Sequence, residues 1–141
     1  MENQYVVIYL DGGLFALDIG KVESVVKYTK PNRVPFAKDY IKGLINLRGE
    51  ILPVMSLKTR IAIKNVDESN DSRIIVIKPE NGEQIGFICD KVLGVEIIKD
   101  DDIDKLAVDT SNENARFFHG IGKLQNENLV SILNIENIVK D

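Results

Sequence analysis

The sequence has one cysteine, one histidine and no tryptophan, and each shortage removes a class of chemistry. Cys89 has no second thiol in the chain to bond with, which agrees with a reducing compartment. With His119 alone, no pair of imidazoles exists to hold zinc and no second histidine to complete a relay. No apolar run approaches the length that crosses a bilayer. The start, Met1-Glu-Asn-Gln-Tyr-Val-Val, lacks the basic and apolar regions of a secretory signal. Asn70-Asp71-Ser72 matches a glycosylation sequon that a non-secreted chain never presents for modification. The expectation is a cytoplasmic protein with no direct membrane insertion.

An excess of basic charge is also missing. Eighteen Lys and Arg face 22 Asp and Glu, for a net charge of -4, and the cations are scattered. That balance leaves no electrostatic footprint for nucleic acid or an anionic membrane surface. The glycines form neither G-x-G-x-x-G nor a phosphate-binding loop. Lys99-Asp100-Asp101-Asp102-Ile103-Asp104 lacks the glycine and terminal glutamate of a calcium loop, so it reads as a solvated acidic segment. Cys89, between Ile88 and Asp90 in an apolar run, reads as a small buried hydrophobe. His119 in Phe117-Phe118-His119-Gly120 reads as a structural residue at a strand edge. No catalytic, cofactor-binding or metal residue is nominated, no cofactor is expected, and the chain is expected not to be an enzyme.

What is present is a hydrophobic share of 44%, enough to build a packed interior. Its length of 141 residues fits one domain, or two very small units sharing a core. Short β-type runs separated by turn signals dominate. Tyr5 to Leu10 leads through Asp11-Gly12-Gly13 into Leu14-Phe15-Ala16-Leu17, and Asp-Gly supplies the positive φ of a tight hairpin. Ile74-Ile75-Val76-Ile77 leads through Pro79-Glu80-Asn81-Gly82 into Ile85 to Cys89. Further strands are expected at Val25 to Tyr28, Glu50 to Leu57, Val92 to Ile98, Phe117 to Leu124 and Leu129 to Leu133. Two helical turns are expected within Ala37 to Leu47 and another within Ser56 to Ile63. Asn134 caps a small C-terminal helix carrying Ile135, Ile138 and Val139. The polar stretch from Asn65 to Ser72 is the expected linker. Many short strands without long alternating helices predict an all-β fold of barrels or a sandwich.

The chain also repeats itself. Phe15-Ala-Leu-Asp18 is followed by Lys21-Val22-x-x-Val25, and Phe87-Ile-Cys-Asp90 by Lys91-Val92-x-x-Val95. More loosely, Leu52-Pro-Val-Met-Ser-Leu57 matches Val130-Ser-Ile-Leu-Asn-Ile135. Two related β units are expected, approximately 1–66 and 67–141, near the lower size limit for independent cores, packed together and with strands exchanged between them.

The segment Ile41-Lys-Gly-Leu-Ile-Asn-Leu-Arg-Gly-Glu-Ile-Leu-Pro-Val-Met-Ser-Leu57 resembles the signature of the CheW family of chemotaxis coupling proteins. That signature runs G-[VL]-x-N-L-R-G-x-[IV]-x-P-V-x-[DN]-L, and only Ser56 departs from it. The resemblance extends to Phe15-Ala-Leu-Asp-Ile19 with Val22, to Val34-Pro35, to Gly86-Phe87 with Asp90, Val92, Gly94 and Val95, and to Gly120. It implies a single CheW-like domain of two small intertwined five-stranded SH3-like barrels with a few short helices. It further implies a scaffold that couples the histidine kinase CheA to the cytoplasmic tips of chemoreceptors, recruited to membrane-associated receptor arrays.

Ile19, Val22, Val25 and Val26 fall at helical spacing, the face of a short helix running into a strand, for which core packing is the default. The resemblance implies that Ile19, Val22 and Val25 also line an inter-barrel groove that takes the receptor tip. It likewise associates Gly43 and Gly120 with partner binding. Arg48 carries a planar fork suited to a carboxylate, either on a partner or in a local ion pair that fixes its loop. The rival from another class is a barrel-type single-strand nucleic-acid binder, which would need a basic groove interleaved with exposed aromatics.

Overall fold

The computed structural model describes residues 1–63, 70–80, 82–109 and 111–140. Most of the expected linker (65–69) and Asn81 of the second hairpin turn lie outside the described residues. Among the described residues eleven strands run in chain order: β1 (Glu2–Leu10), β2 (Gly13–Asp18), β3 (Val22–Lys27), β4 (Ile41–Leu47), β5 (Glu50–Ser56), β6 (Arg73–Ile77), β7 (Ile85–Cys89), β8 (Lys91–Lys99), β9 (Ile103–Asp104), β10 (Phe118–Lys123) and β11 (Leu129–Leu133). Two short helices, α1 (Leu57–Arg60) and α2 (Ile135–Val139), each follow a strand.

The strands form two sheets, ordered β8-β1-β2-β11-β10-β9 and β3-β6-β7-β5-β4. In the first, β1 and β2 pair with strands made much later; the second is built from the middle of the chain. The same plan appears twice. β1 pairs with β2 and β8 as β6 pairs with β7 and β3. The parallel contact of β11 with β2 matches that of β5 with β7. The all-β class and the two intertwined small barrels expected from the sequence are what the structure has, with the two-residue β9 added at one edge.

Local chemistry explains the joints. Asp11 (φ 46°) and Gly12 (φ 83°) form the two-residue turn between β1 and β2, and Arg48 (φ 53°) and Gly49 (φ 84°) form the one between β4 and β5. Positive φ at both central residues matches the right-handed twist of the strands they join. Ser56 caps α1 by accepting from the Thr59 amide at 3.1 Å, and Asn134 caps α2 by accepting from the Asn137 amide at 3.1 Å. These caps close the two repeats at matching places.

Three apolar clusters hold the molecule. The largest lies between the sheets, joining Ile8, Leu10 and Leu17 to Met55, Ile75, Ile77 and Phe87 and to Ile135 and Ile138 of α2. Each sheet also has its own interior: Tyr5, Val7, Ala16, Ile98, Val130 and Ile132 in the first, Ile45, Leu52, Val54, Ile74, Val76 and Ile88 in the second. Burial of large aliphatic side chains contributes roughly 1.5–3 kcal/mol each, so all three clusters matter to a fold of this size.

Two expectations are corrected. The helical turns expected in Ala37 to Leu47 are a loop followed by strand β4, where Gly43 and Ile45 are buried and paired against β5. Ile and Leu runs suit either state, and pairing with the Pro53-Val54 strand decided this one. The helical face through Ile19, Val22, Val25 and Val26 is a single 3-10 turn over Ile19–Lys21, then strand β3.

Candidate partner-binding site

Asp18 ends β2, and its carboxylate accepts from the Gly20 amide at 2.9 Å, which turns the chain and starts the 3-10 turn. Ile19 on that turn is half-buried against the inter-sheet cluster. Val22 follows on β3, also half-buried and packed on the same cluster. Its register partner is Ile77, whereas Val25 stands opposite Ile75, and the register shifts between Val22 and Ser24. Directly opposed residues share a sheet face, and an extra residue in a bulge restores two odd-spaced side chains to one face. Because Ile75 and Ile77 both belong to the inter-sheet cluster, Val22 and Val25 point to the same side. Val25, at 42% exposure, stands where that side opens to water.

Edge strand β8 of the first sheet shares a cleft with Ile19. Val95 opposes Val6 and Ile97 opposes Gln4, which puts both on the inter-sheet side of edge strand β8. They are 50% and 37% exposed, so they extend beyond the core and do not complete it. Ile97, Ile19 and Gly20, with the polar Glu2, Asn3, Gln4 and Asp18, line a cleft of about 480 Å3. A neighbouring crevice of about 160 Å3 is lined by Tyr5, Asp18, Lys21, His119 and Ile132. There, removal of water from the His119 ring, with the Lys105 charge nearby, holds its pKa below the ordinary histidine value. The Lys21 ammonium donates to the Glu136 carboxylate at 2.7 Å, tying the 3-10 turn to α2. That bond raises the Lys21 pKa and lowers that of Glu136.

Of the residues nominated from the sequence, the structure therefore brings Ile19, Val22 and Val25 together. It leaves Gly43 on β4, the opposite edge strand of that sheet, Arg48 in the β4–β5 turn and Gly120 in the other sheet. Gly43 and Gly120 occupy matching bulges in β4 and β10. A Cβ on Gly43 would lie 2.0 Å from the Asn32 carbonyl oxygen, and one on Gly120 would lie 2.8 Å from that of Asp104. Each glycine thus admits the backbone that runs along its sheet edge. Arg48 is exposed in its turn, and the Gly49 amide donates to the Asn46 side chain at 3.0 Å. Among the described residues no carboxylate pairs with Arg48; Glu23 instead accepts from the Gln84 amide.

Sequence reasoning missed Val95 and Ile97. The signal was there: β8 carries apolar residues at Leu93, Val95 and Ile97 beside the buried Ile98, more than one buried face requires. Cys89 is buried, and desolvation pushes its thiol pKa up to about 12, the opposite of what a nucleophile needs. Among the described residues no helix is long and apolar enough to cross a membrane.

The model of the CheW-like domain matches residues 4–141. The chain belongs to the CheW family. The chemotaxis protein CheW of Helicobacter pylori is 33% identical over 137 residues, covering 97% of this chain and 81% of that protein. The CheW of Thermotoga maritima is 30% identical over 140 residues, covering 99% and 89%. The crystal structure of the scaffolding protein TtCheW from Thermoanaerobacter tengcongensis superposes with a TM-score of 0.87 at 34% identity, covering 100% of this chain and 90% of that one. The CheW signature at Gly43 to Leu57 thus falls on the β4–β5 hairpin and the first residue of α1.

Proposed function

We propose that this protein is a non-catalytic chemotaxis scaffold that couples a CheA-type histidine kinase to the cytoplasmic tips of chemoreceptors. It works in the cytoplasm as one CheW-like domain recruited to membrane-associated receptor arrays. Ile19, Val22 and Val25 form one wall of the groove that takes the receptor tip, with Ile97 opposite, and Arg48, Gly43 and Gly120 act at or near partner contacts. The observation that carries this reading is membership of the CheW family, with Ile19 and Ile97 lining one cleft and the exposed Val25 standing on the same side of β3 as Val22. A cleft flanked by exposed aliphatic side chains suits an amphipathic helical segment, whose regularly spaced apolar side chains pack there while its polar face stays hydrated.

Val25→Asp tests it, because Val25 is the most exposed of the three wall residues. A carboxylate there stays hydrated in the free protein and is desolvated only under a partner. The expected result is a denaturation midpoint close to wild type with receptor-fragment affinity at least about tenfold weaker. Unchanged affinity in the folded variant removes the groove from the receptor contact.

A further inference from the structure

The chain's single histidine stands directly behind the turn that carries Ile19. Phe118 of β10 opposes Leu133 of β11 and Gly120 opposes Ile132, so the register skips one residue, His119. A bulge leaves its extra residue out of the ladder and re-aims the side chain. The imidazole accordingly lines the crevice of about 160 Å3, with Tyr5 of β1, Asp18 of β2, Lys21 of the 3-10 turn and Glu136 of α2. Part of its surface stays in water, so it can exchange a proton. Asp18 lines both this crevice and the cleft of about 480 Å3, where it stands beside Ile19 and Gly20.

The groups around the ring oppose one another. Loss of water in the crevice disfavours the imidazolium first, then the ammonium of Lys105 in the loop after β9; the Asp18 carboxylate favours it, and Lys21 disfavours it. The remaining charges nearby are engaged: Glu136 accepts from Lys21 at 2.7 Å, and Asp104 of β9 accepts from the Leu106 amide at 2.9 Å. Tyr5 stays a neutral phenol, its pKa raised by burial. The closed crevice thus prefers the neutral ring, and a proton on His119 is better accommodated when the crevice opens to water.

The element able to yield is the 3-10 turn, which is one turn long, has the poorer hydrogen-bond geometry of its kind and exposes Gly20. Its anchors are the Asp18 bond to the Gly20 amide at 2.9 Å, the Lys21–Glu136 pair and the bond from the Lys78 amide to the Lys21 carbonyl at 3.0 Å. An imidazolium draws Asp18 away from the first anchor and repels the ammonium of the second.

We propose that His119 makes receptor docking sensitive to pH: the protonated ring opens the crevice and shifts the 3-10 turn, with Ile19, out of the arrangement that receives the receptor tip. The proposal rests on the receptor reading of the cleft. Docking is full where the ring is neutral and weakens as pH falls through the His119 pKa, which lies below the ordinary histidine value. Linkage makes the effect reciprocal, so a docked receptor holds the turn closed and lowers the affinity of His119 for its proton.

With one histidine in the chain, a single set of imidazole NMR signals reports the titration. It is followed in the full chain alone and saturated with a receptor cytoplasmic fragment, beside calorimetric affinities at about pH 7.5 and about pH 5.5. The expected results are a His119 pKa that falls on binding and an affinity about fivefold weaker at the acid pH. Melts at both pH values check that the chain stays folded. His119→Gln binds like wild type near neutrality and loses the acid weakening, which separates the ring from the amino terminus and from the receptor's own groups. Lys105→Gln, outside the cleft, raises the His119 pKa and moves the loss of affinity to higher pH. A His119 pKa that is the same free and bound, or a pH dependence that survives His119→Gln, overturns the proposal and leaves the receptor reading standing. A fragment that binds at neither pH removes the receptor reading, and the proposal falls with it.

Discussion

Arg60 and Ile138 hold matching positions at the ends of the two short helices, and they are joined: the Arg60 Nε donates to the Ile138 carbonyl at 2.8 Å. The same guanidinium lies 4.3 Å from the centroid of the Tyr40 ring and 4.8 Å from that of Phe117. Tyr40 and Phe117 are themselves counterparts, each the residue immediately before a matching strand, β4 or β10. One planar cation therefore closes the junction between the repeats, and it also reaches the Lys140 carbonyl.

Replacing Arg60 with Met keeps much of the packing and removes the charge. Two cation–π contacts and two charge-assisted hydrogen bonds are lost, for an expected cost of roughly 2–4 kcal/mol. Urea unfolding followed by circular dichroism measures it. A Lys replacement restores little, because a point charge cannot lie flat between two rings. A Lys variant as stable as wild type would count against the stacking account.

The bulge glycines differ in what they tolerate. Gly43 has φ 143° as well as the 2.0 Å clash with the Asn32 carbonyl, whereas the 2.8 Å approach at Gly120 calls for a smaller shift. Gly43→Ala is expected to cost about 1–3 kcal/mol for overpacking, and more if the Asn32–Leu44 bridge opens. Gly120→Ala costs less. Thermal melts of both variants give the order, and a reversed order contradicts the geometry.

The Lys21–Glu136 pair predicts a particular dependence on pH. The Glu136 pKa is lowered chiefly by the hydrogen bond from Lys21, so its stabilisation is present above the unfolded pKa and disappears as pH falls through the folded one. The Lys21 pKa is raised by the same bond, so its share is present below the unfolded pKa and lost as pH rises through the folded one. The side chains are 26% and 32% exposed, which limits the pair to about 1 kcal/mol. Glu136→Gln should therefore lower stability by up to about 1 kcal/mol at neutral pH and by nothing measurable in acid, where Glu136 is already protonated. Denaturant midpoints at the two pH values test this. A difference that persists in acid assigns the effect to packing.

Cys89 reports on opening of the core. It is buried with its thiol pKa pushed up to about 12, so a thiol reagent at mildly alkaline pH finds neither access nor thiolate. Labelling is expected only through unfolding of the region around β7, with a rate that rises in denaturant in step with the loss of structure. Rapid labelling of the native protein would show that β7 opens locally.

The turns were the most legible part of the fold. Asp11-Gly12 and Asn134 carry their local geometry in their own chemistry, and both stand where that chemistry put them. Ile41 to Leu47 did not, because an aliphatic run is neutral between helix and strand until a partner is present. The parallel pairings of β2 with β11 and β5 with β7 join residues distant in sequence and have no local signal. The site divides in the same way. The family resemblance nominates Ile19, Val22 and Val25, but the bulge that turns Val22 and Val25 to one side is a matter of pairing. The placement of Val95 and Ile97 on the inter-sheet side depends on the pairing of β8 with β1, which has no local signal.

The exchange of strands has a consequence for a chain made from one end. β1 and β2 leave the ribosome well before β8 and β11, which flank them. All five strands of the other sheet lie between them in the order of synthesis, within 22–89. A two-stranded hairpin alone is only marginally stable in water. The opening hairpin, with Val6, Ile8 and Leu17 uncovered on one side and Val7 and Ala16 on the other, must therefore wait while the middle of the protein folds. A nascent chain halted before β8 displays this hairpin to whatever binds exposed apolar strands, and the window closes only when the carboxyl-terminal segment arrives to cover it.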